Sequence, residues 1–406
     1  MTKSRRAPSL PRRIALTAAG AGIGFAALAS VGGVAGLVAV ARRVVTPPKR
    51  KVEDVRVLAI DARTITLSST KDTRLPGRYG FWFDRGTSYA KLGAIIDSTP
   101  QTVTREIVSI DYGSPAAGDR GLISGWYFTD PSDLSYPYES VDIETPLGKA
   151  PAWIIPADDS AADDSTAAAP GASRWAIVVH GRGVRRSEGL RAVEVLHDAG
   201  YSVMLVSYRN DGDAPASADG RYALGDTEWL DVDAAITHLV DRGATDIVLM
   251  GWSMGGATVL QTATRSANAH LIRGLILESP VVDWVTALLY QGRAFGLANP
   301  FRYGVLAILS RPWGIRFTGQ AVPIDLARLD FVQRASELDV PILLLHSVDD
   351  GFVPATASQA LALARPDIVE YEEFTVARHT KLWNYDTARW TSTIAGWLRR
   401  LPDLQR

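Results

Sequence analysis

The sequence predicts an α/β protein whose mostly parallel sheet is flanked by helices on both faces. From Val141 onward, apolar runs of strand length alternate with segments of helix length. One such run, Ile247–Met250, leads into the glycine-rich turn Gly251–Gly256, which opens a helix of small residues. The chain has 406 residues, 47% of them hydrophobic, so it can bury a large core, and its length favours more than one domain.

The first segment, residues 1–50, combines basic side chains with an uncharged stretch. Several lysines and arginines precede Ile14–Ala41, which carries no charge, and Arg42 and Arg43 follow it. Because about 20 helical residues span a bilayer core, this pattern predicts a single-pass transmembrane anchor. A cleaved signal peptide is the alternative, since Ala39–Ala41 fits a small-residue cleavage site.

Basic residues flank both ends of this apolar stretch, so the positive-inside rule does not orient it. A basic and then apolar amino terminus resembles an export signal that is left uncut. We therefore expect the amino terminus inside the cell and the rest of the chain outside the cytoplasm, attached to the membrane.

The second segment, residues 54–137, predicts a small β-rich module. Strand-forming runs occur at Val55–Leu67, Thr102–Tyr112 and Gly121–Phe128, and Leu75–Gly80 is typical of a turn. The segment carries no motif with a recognisable chemistry. It precedes the larger domain, residues 138–406, in which Ala157–Ser173 has the composition of a surface insertion with no core-forming residues.

The turn after Ile247–Met250 has the features of a strand-to-helix turn that exposes a nucleophile, Ser253. A serine lifted out of such a turn has strained backbone angles, and bulky neighbours would collide with the strand and the helix that it joins. Small residues at Gly251 and Gly255 relieve that crowding, and Gly256 lets the helix pack closely on the sheet.

A serine hydroxyl becomes a nucleophile only beside a base, which is usually a histidine. Of the six histidines, His379 follows the last predicted strand and begins a loop, the position that a base requires. His197 and His238 lie in helical patterns and are expected to be partly exposed there. The remaining three, which end apolar runs or lie in a polar stretch, are His180, His270 and His346.

The base in turn needs a carboxylate to orient it, on a loop at the carboxyl end of a buried strand. Pro341–His346 is such a strand, and Asp349 and Asp350 follow it. Glu278, at the end of the strand Leu275–Leu277, is a further candidate.

Ser253, Asp350 and His379 in this chain order, with His180–Gly183 upstream, resemble the alpha/beta-hydrolase superfamily over residues 138–406. Two other serine protease architectures use a different order of the triad. The resemblance implies that Asp350 rather than Asp349 is the acid, because the family's aspartate stands four residues after a histidine. It also implies a helical cap at about 283–338.

Aromatic residues crowd the first part of this cap and suit an apolar acyl or leaving group. We expect most of them to pack the cap onto the body instead. They are Trp284, Tyr290, Phe295, Phe301, Tyr303, Trp313 and Phe317.

The resemblance further implies a serine hydrolase whose oxyanion hole is formed by the backbone amides of Arg182 and Met254. The side chain of Arg182, with Arg185 and Arg186, either attracts anionic substrates at the site entrance or belongs to a solvated helix start capped by Ser187. Carboxylic ester hydrolysis through an acyl-enzyme is the first expectation, because nothing identifies a pocket for a peptide amino terminus. A peptidase or amidase is the alternative, and an inactive hydrolase-like interaction protein is a third.

The composition of the chain limits which partners and cofactors it is expected to bind. A net charge of −1 gives no electrostatic case for nucleic acid binding. The absence of cysteine excludes a thiol nucleophile and disulfides, and no spacing of histidines suggests a metal. We therefore expect no cofactor and no metal, a small-molecule acyl substrate, and a membrane partner through the amino-terminal helix. The oligomeric state is left open.

Overall fold

The computed structural model describes residues 34–48, 52–158 and 173–402. Residues 14–33, most of the expected membrane anchor, lie outside the described residues, as do residues 159–172 of the expected surface insertion. The described residues form a closed β-barrel followed by an α/β body.

The barrel is antiparallel, with strand order β1-β2-β5-β4-β3-β6, and pairing of β1 with β6 closes it. Alternate apolar side chains such as Val57, Ile65 and Phe81 fill its interior. Its strands are β1 (Val55–Ile60), β2 (Thr64–Ser68), β3 (Tyr79–Phe83), β4 (Ser88–Ser98), β5 (Thr102–Tyr112) and β6 (Arg120–Ser124).

The structure refines two of the expected barrel elements. The strand-forming run Val55–Leu67 contains two strands, because Asp61 turns the chain between β1 and β2. Its carboxylate accepts hydrogen bonds of 2.8 Å from the amides of Arg63 and Thr64. The turn expected at Leu75–Gly80 runs into β3, whose apolar residues face the barrel interior.

The body contains an eight-stranded sheet of order β14-β13-β12-β11-β9-β10-β8-β7, in which only β7 and β8 are antiparallel to their neighbours. This confirms the expected mostly parallel sheet. The strands are β7 (Glu139–Thr145), β8 (Gly148–Ile155), β9 (Arg174–Val179), β10 (Ser202–Val206), β11 (Asp246–Trp252), β12 (Ile272–Glu278), β13 (Ile342–Ser347) and β14 (Val369–Phe374).

Helices cover both faces of this sheet, so its central strands are apolar on both sides. Along β11, Ile247 and Leu249 enter one core, while Val248 and Met250 enter the core on the opposite face. The helices of the body are α2 (Val193–Asp198), α3 (Trp229–Asp241), α4 (Met254–Arg265), α8 (Thr356–Ala364), α9 (Leu382–Tyr385) and α10 (Thr387–Arg400).

The segment between β12 and β13 is helical, with α5 (Trp284–Ala294), α6 (Asn299–Ser310) and α7 (Ile315–Thr318). Trp284 is buried and donates its indole N–H to the carbonyl of Leu224. The expectation that most of the seven aromatic residues pack inward is wrong, because five have exposed fractions between 41% and 77%. These five are Phe295, Phe301, Tyr303, Trp313 and Phe317.

The amino-terminal helix α1 is described over residues 34–45 and lies against the body. Ala41 and Val45 are fully buried in the same core as α3 and α4. A Cβ at Gly304 of α6 would lie 3.2 Å from Leu37, so α1 also contacts the cap. Within the described residues, no helix has the length and hydropathy needed to cross a bilayer, so the expected transmembrane helix is not found there.

Candidate active site

The turn between β11 and α4 holds Ser253 in a backbone conformation that few residues adopt, with φ 51° and ψ −115°. The chain is crowded on both sides of it. A Cβ at Gly251 would lie 2.5 Å from the carbonyl oxygen of Gly255, and a Cβ at Gly255 would lie 2.3 Å from that of Val179. Only glycine fits at these two positions, so the sharp turn presents the serine at the carboxyl end of the sheet.

The structure brings Ser253, His379 and Asp350 together in one line of hydrogen bonds. Oγ of Ser253 lies 3.0 Å from Nε2 of His379, and Nδ1 of His379 lies 2.7 Å from Oδ2 of Asp350. If Nδ1–H donates to the carboxylate, Nε2 is free to accept the serine proton. The arrangement can therefore turn the hydroxyl into a nucleophile, although its catalytic role remains a prediction.

The Asp350 carboxylate is buried and its two oxygens accept four hydrogen bonds. Besides His379, the donors are the amides of Phe352 and Val353 on Oδ1 and His346 Nε2, 3.2 Å from Oδ2. Burial by itself would raise the pKa of Asp350, but the charge of His379 and the hydrogen bonds of both histidines hold it well below its usual range. The carboxylate therefore stays ionised, as a group that orients a base must.

The loop expected to supply an oxyanion amide, residues 180–183, borders the nucleophile. A Cβ at Gly181 would lie 3.5 Å from Cβ of Ser253. Arg182 follows directly, and Met254 is the first residue of α4, where a backbone N–H has no partner within the helix. The positive end of α4 thus also faces the serine. The oxyanion role of the two amides stays a prediction.

Comparisons with known proteins agree with this architecture. A family model described as Serine aminopeptidase, S33 matches residues 172–313, and a model described as a domain of unknown function (DUF8805) matches residues 56–124. The protein ABHD12B of Homo sapiens is 26% identical over 185 residues, covering 44% of this chain and 46% of that protein. An esterase of Pyrococcus furiosus superposes with a TM-score of 0.50 at 19% identity, over 67% of this chain and 94% of that one.

The chain belongs to the alpha/beta-hydrolase superfamily. It matches less than half the length of its curated human relative. Its similarity to the solved esterase, at this level of identity, is a similarity of fold.

The other candidate acids of this alpha/beta-hydrolase have different partners. Asp349 accepts hydrogen bonds from the Ser347 hydroxyl at 2.6 Å and from the amide of Arg378 at 2.8 Å. Glu278 is fully buried and accepts a hydrogen bond from the Trp390 indole at 2.8 Å. Neither has a described hydrogen bond to His379, so the geometry favours Asp350.

Three buried side chains, His180, Asp211 and Glu188, hold the loop at Gly181, a role that the sequence pattern did not predict for them. Nδ1 of His180 lies 2.8 Å from the Gly181 carbonyl and Nε2 lies 3.1 Å from Oδ2 of Asp211, while the Gly181 amide donates to Glu188 at 3.0 Å. Burial alone would raise the pKa of Asp211, but its hydrogen bond with His180 lowers it. The contact between His180 and Asp211 could have been predicted from the sequence. Each residue follows one of two neighbouring parallel strands, and such strands end at the same edge of the sheet.

The side chain of Arg182 bonds to the end of the amino-terminal helix. Its guanidinium donates to the carbonyls of Arg43, Val44 and Thr46, at 2.7 to 3.0 Å, and so caps the end of α1. Of the two alternatives for its side chain, these contacts favour a structural role over the attraction of anionic substrates.

The neighbouring basic residues also have structural partners. Arg185 and Arg186 both pair with Asp213. The helix that follows is a 3₁₀ helix starting at Arg186, so the expected cap at Ser187 is wrong. His197 is buried, not partly exposed, and its Nε2 lies 3.1 Å from the Pro156 carbonyl.

The cap meets the acid's loop at the mouth of the site. Tyr290 of α5 donates its hydroxyl to the carbonyl of Asp350 at 3.2 Å, and Gln291 donates to the carbonyl of Phe352 at 3.1 Å. The ring of Phe352, 42% exposed, lies 5.1 Å from the imidazole of His379. The loop of Asp350 thus places an exposed apolar ring beside the base.

Proposed function

We propose that this protein is a serine hydrolase that cleaves carboxylic esters through an acyl-enzyme on Ser253. The observation that carries the proposal is the line of hydrogen bonds from Ser253 through His379 to the buried Asp350. The superfamily assignment and the strained turn at Ser253 support it.

In the proposed acylation step, Nε2 of His379 takes the proton of Ser253 as Oγ attacks the ester carbonyl carbon. The carbonyl oxygen becomes an oxyanion that accepts hydrogen bonds from the amides of Met254 and Arg182. Asp350 stabilises the imidazolium and keeps its proton on Nδ1. His379 then protonates the leaving alcohol as the tetrahedral intermediate collapses, leaving the acyl group on Ser253.

Deacylation repeats these roles with water as the nucleophile. His379 removes a proton from water, the hydroxide attacks the acyl carbon, and the same amides stabilise the second oxyanion. Ser253 recovers its proton from His379, and the carboxylic acid leaves.

A peptidase of the same fold is the second candidate, because the family model over residues 172–313 is described as a serine aminopeptidase. The two candidates share the triad and differ in leaving group. Hydrolysis of nitrophenyl acyl esters with no cleavage of aminoacyl amides would support the esterase, and the opposite ranking of kcat/KM would support the peptidase.

We also propose that the chain is anchored in a membrane by its amino-terminal apolar stretch, with the hydrolase outside the cytoplasm. Residues 14–33 carry no charge and precede α1 directly. Since residues 34–45 form α1 against the body, any crossing has to be made by residues before position 34. Sedimentation of the full-length chain with membranes after a high-salt wash tests the anchor, and accessibility to protease from either side tests its orientation.

The first experiment is labelling of detergent-solubilised protein with a fluorophosphonate probe, followed by peptide mass spectrometry. We expect one adduct, on Ser253, that is lost in Ser253→Ala and His379→Ala and retained in Ser392→Ala, which alters an exposed serine of α10. An adduct on another serine would refute the assignment. Folded wild-type protein without any adduct or ester turnover would instead support an inactive interaction protein.

A further inference from the structure

The exposed face of the cap has an unusual composition. Between Asp283 and Asp325 the chain has no acidic residue and no lysine, but it has four arginines. Three of these, Arg293, Arg311 and Arg316, are exposed, and among the described residues they have no ion-pair partner.

Large apolar side chains share this exposed face. Phe295 is 77% exposed, Tyr303 59% and Val322 59%, and the rings of Trp313 and Phe317 contact each other at 6.2 Å while both are about half exposed. Exposed aromatic groups mixed with arginines, in a segment with no carboxylate of its own, are typical of surfaces that lie in the interfacial layer of a bilayer, where the rings enter the acyl boundary and the cations meet lipid phosphates. The body contributes one carboxylate at the edge of this surface, Asp219, which accepts a hydrogen bond from the amide of Ala321 at 2.7 Å.

The path of the chain brings the amino-terminal apolar stretch to the same place. Leu37 of α1 packs at Gly304 of α6. Thr46 accepts a hydrogen bond from Arg221, whose guanidinium lies 3.4 Å from where a Cβ at Gly319 would be. The apolar stretch 14–33 therefore joins the described structure beside the cap, which brings any membrane that holds this stretch close to the cap.

We propose that this cap surface, Phe295 to Val322, docks onto a bilayer that carries anionic lipid headgroups. The inference deepens the proposed membrane attachment and rests on it. Docking there would put the mouth of the active site, where α5 meets the loop of Asp350, next to the lipid surface. Amphiphilic esters could then enter the site without crossing bulk water.

The absence of cysteine allows a direct test, since Phe317→Cys creates a single thiol in the full-length protein. We label it with an environment-sensitive fluorophore and add phosphatidylcholine vesicles with or without phosphatidylglycerol. The matched control is Leu363→Cys on α8, where the side chain is 82% exposed outside the cap. We expect a blue shift and quenching by brominated lipids at position 317 but not at 363, with a stronger effect when phosphatidylglycerol is present.

The experiment separates docking from anchoring. Flotation of the chain with vesicles while the label at 317 stays in water would overturn the docking proposal and leave the anchor intact. A blue shift that grows with protein concentration and needs no lipid would also overturn it, because a second copy of the chain would then cover the surface. Arg311→Glu with Arg316→Glu should remove the dependence on phosphatidylglycerol.

A separate set of contacts assigns a role to the barrel. The loop between β2 and β3 meets the loop that carries His379. Oδ1 of Asp72 lies 2.9 Å from Nε of Arg378, and Oδ2 lies 3.0 Å from Nζ of Lys381. One barrel carboxylate thus holds residues on both sides of His379.

Backbone contacts extend this interface. The amide of Arg78 donates to the carbonyl of Asn384 at 3.1 Å, and the Asn384 side chain donates to the carbonyl of Arg78 at 2.9 Å. The Arg78 guanidinium lies 4.1 Å from the ring centre of Trp383. At Gly77, where φ is 101°, a Cβ would lie 2.0 Å from the Asn384 carbonyl oxygen, so only glycine allows this approach.

A buried arginine makes the barrel side of the interface rigid. Arg105 is fully buried and donates to the carbonyls of Thr73, Leu75 and Gly77, at 2.6 to 3.0 Å. Burial lowers the pKa of Arg105 to about 10, so the guanidinium remains charged at neutral pH. The loop that bears Asp72 is thereby fastened to the barrel wall.

The loop that bears His379 needs such support. Arg378 and Thr380, on either side of the histidine, both have positive φ, 61° and 51°. Non-glycine residues hold this conformation only when the surroundings impose it. We infer that Asp72 is a positioning residue through which the barrel holds His379 in line between Ser253 and Asp350.

This inference rests on the proposed function, and Asp72→Asn tests it. We expect kcat to fall about tenfold or more with little change in KM, because a base displaced by a fraction of an ångström acts poorly while substrate still binds. Asp72→Glu should restore part of the loss. Asp61→Asn is the matched control, since that carboxylate bonds only within its own turn of the barrel.

Three results of the Asp72→Asn experiment would have different meanings. If wild-type protein neither reacts with the fluorophosphonate nor turns over esters, the proposed function fails and the positioning role fails with it. If wild-type protein is active and Asp72→Asn has the same kcat, only the positioning role fails. A loss of kcat in Asp61→Asn equal to that in Asp72→Asn would show a general effect of barrel damage and would also overturn it.

Discussion

At the scale of single residues, the site depends on one buried carboxylate held by several donors. Asp350 accepts hydrogen bonds from His379, from His346 and from two backbone amides, so it cannot turn away from the base. His346 has no contact with a reacting atom. Its Nδ1 lies 2.8 Å from the Ser358 hydroxyl, which leaves Nε2–H to face the carboxylate.

Replacing Asp350 by asparagine should lower kcat by about three to four orders of magnitude while the protein stays folded. The amide can donate to Nδ1 of His379, which places the imidazole proton on Nε2 and prevents it from accepting the Ser253 proton. Steady-state ester hydrolysis measures the loss. Asp349→Asn is the control, and the assignment would be wrong if that variant lost more activity than Asp350→Asn.

A second residue-scale prediction concerns pH and Glu278. Burial raises the pKa of Glu278 above 4.5, although the charge of Arg191 and the hydrogen bond from the Trp390 indole oppose this. The folded state therefore binds this proton more tightly than the unfolded chain does. The free energy of unfolding should fall as pH rises between 4.5 and the higher folded value, by up to about 1.4 kcal/mol per pH unit.

The measurement is thermal unfolding of wild-type protein and of Glu278→Gln across this pH range. The variant lacks the titrating group, so its stability relative to wild type should rise with pH and then level off. A constant difference at every pH would show that Glu278 has the same proton affinity in both states.

At the scale of elements, the strand-turn-helix unit of β11 and α4 positions the candidate nucleophile. This unit packs closely against the end of β9. A Cβ at Gly255 would lie 2.3 Å from the carbonyl oxygen of Val179 and 2.5 Å from that of His180. The loop expected to supply an oxyanion amide thus lies against the first turn of α4.

Gly255→Ala should lower the free energy of unfolding by about 2–3 kcal/mol, because the methyl group collides with backbone atoms that cannot move independently. Denaturant titration measures this, and fluorophosphonate labelling should slow as the oxyanion loop shifts. Gly36→Ala in α1, where no atom lies within 4 Å of the added methyl, should be neutral or stabilise by up to about 1 kcal/mol. Similar losses in both variants would contradict the steric explanation.

At the scale of the whole molecule, the described chain before residue 139 supports the hydrolase body in two places. The end of α1 and residues 46–48 lie on the loop of Arg182, and the barrel lies on the loop of His379. Both loops carry candidate active-site groups, so parts of the chain far apart in sequence jointly shape one site.

Arg182→Ala should weaken the first of these contacts and leave the chemistry almost unchanged. The variant loses three hydrogen bonds from a charged donor, worth about 1–3 kcal/mol of stability in all, but keeps the backbone amide. Hydrogen exchange of residues 41–46 should speed up, while kcat changes less than tenfold. Arg185→Ala, which breaks an exposed ion pair, serves as control, and equal exchange in the two variants would refute the contact's role.

Short-range sequence patterns predicted those features of the fold that depend on neighbouring residues. The period of apolar residues predicted the parallel sheet, and the glycines around Ser253 predicted the sharp turn, since each is a short-range steric requirement. The order of Ser253, Asp350 and His379 led to three groups that the structure does bring into contact. The same pattern did not locate the turn between β1 and β2, which Asp61 makes within the strand-forming run Val55–Leu67.

The sequence by itself determined the fold class and the nucleophile turn, because backbone sterics and side-chain chemistry at those positions depend on near neighbours. The choice of Asp350 for the candidate triad came from the resemblance to the alpha/beta-hydrolase superfamily. Only the tertiary structure decided the partners of Asp72, Arg105, Arg182 and His346, and the exposure of the cap aromatics. Those features need segments separated by tens to hundreds of residues to meet. A charge or an aromatic ring in the sequence does not reveal which surface it will meet, because long-range packing selects that surface.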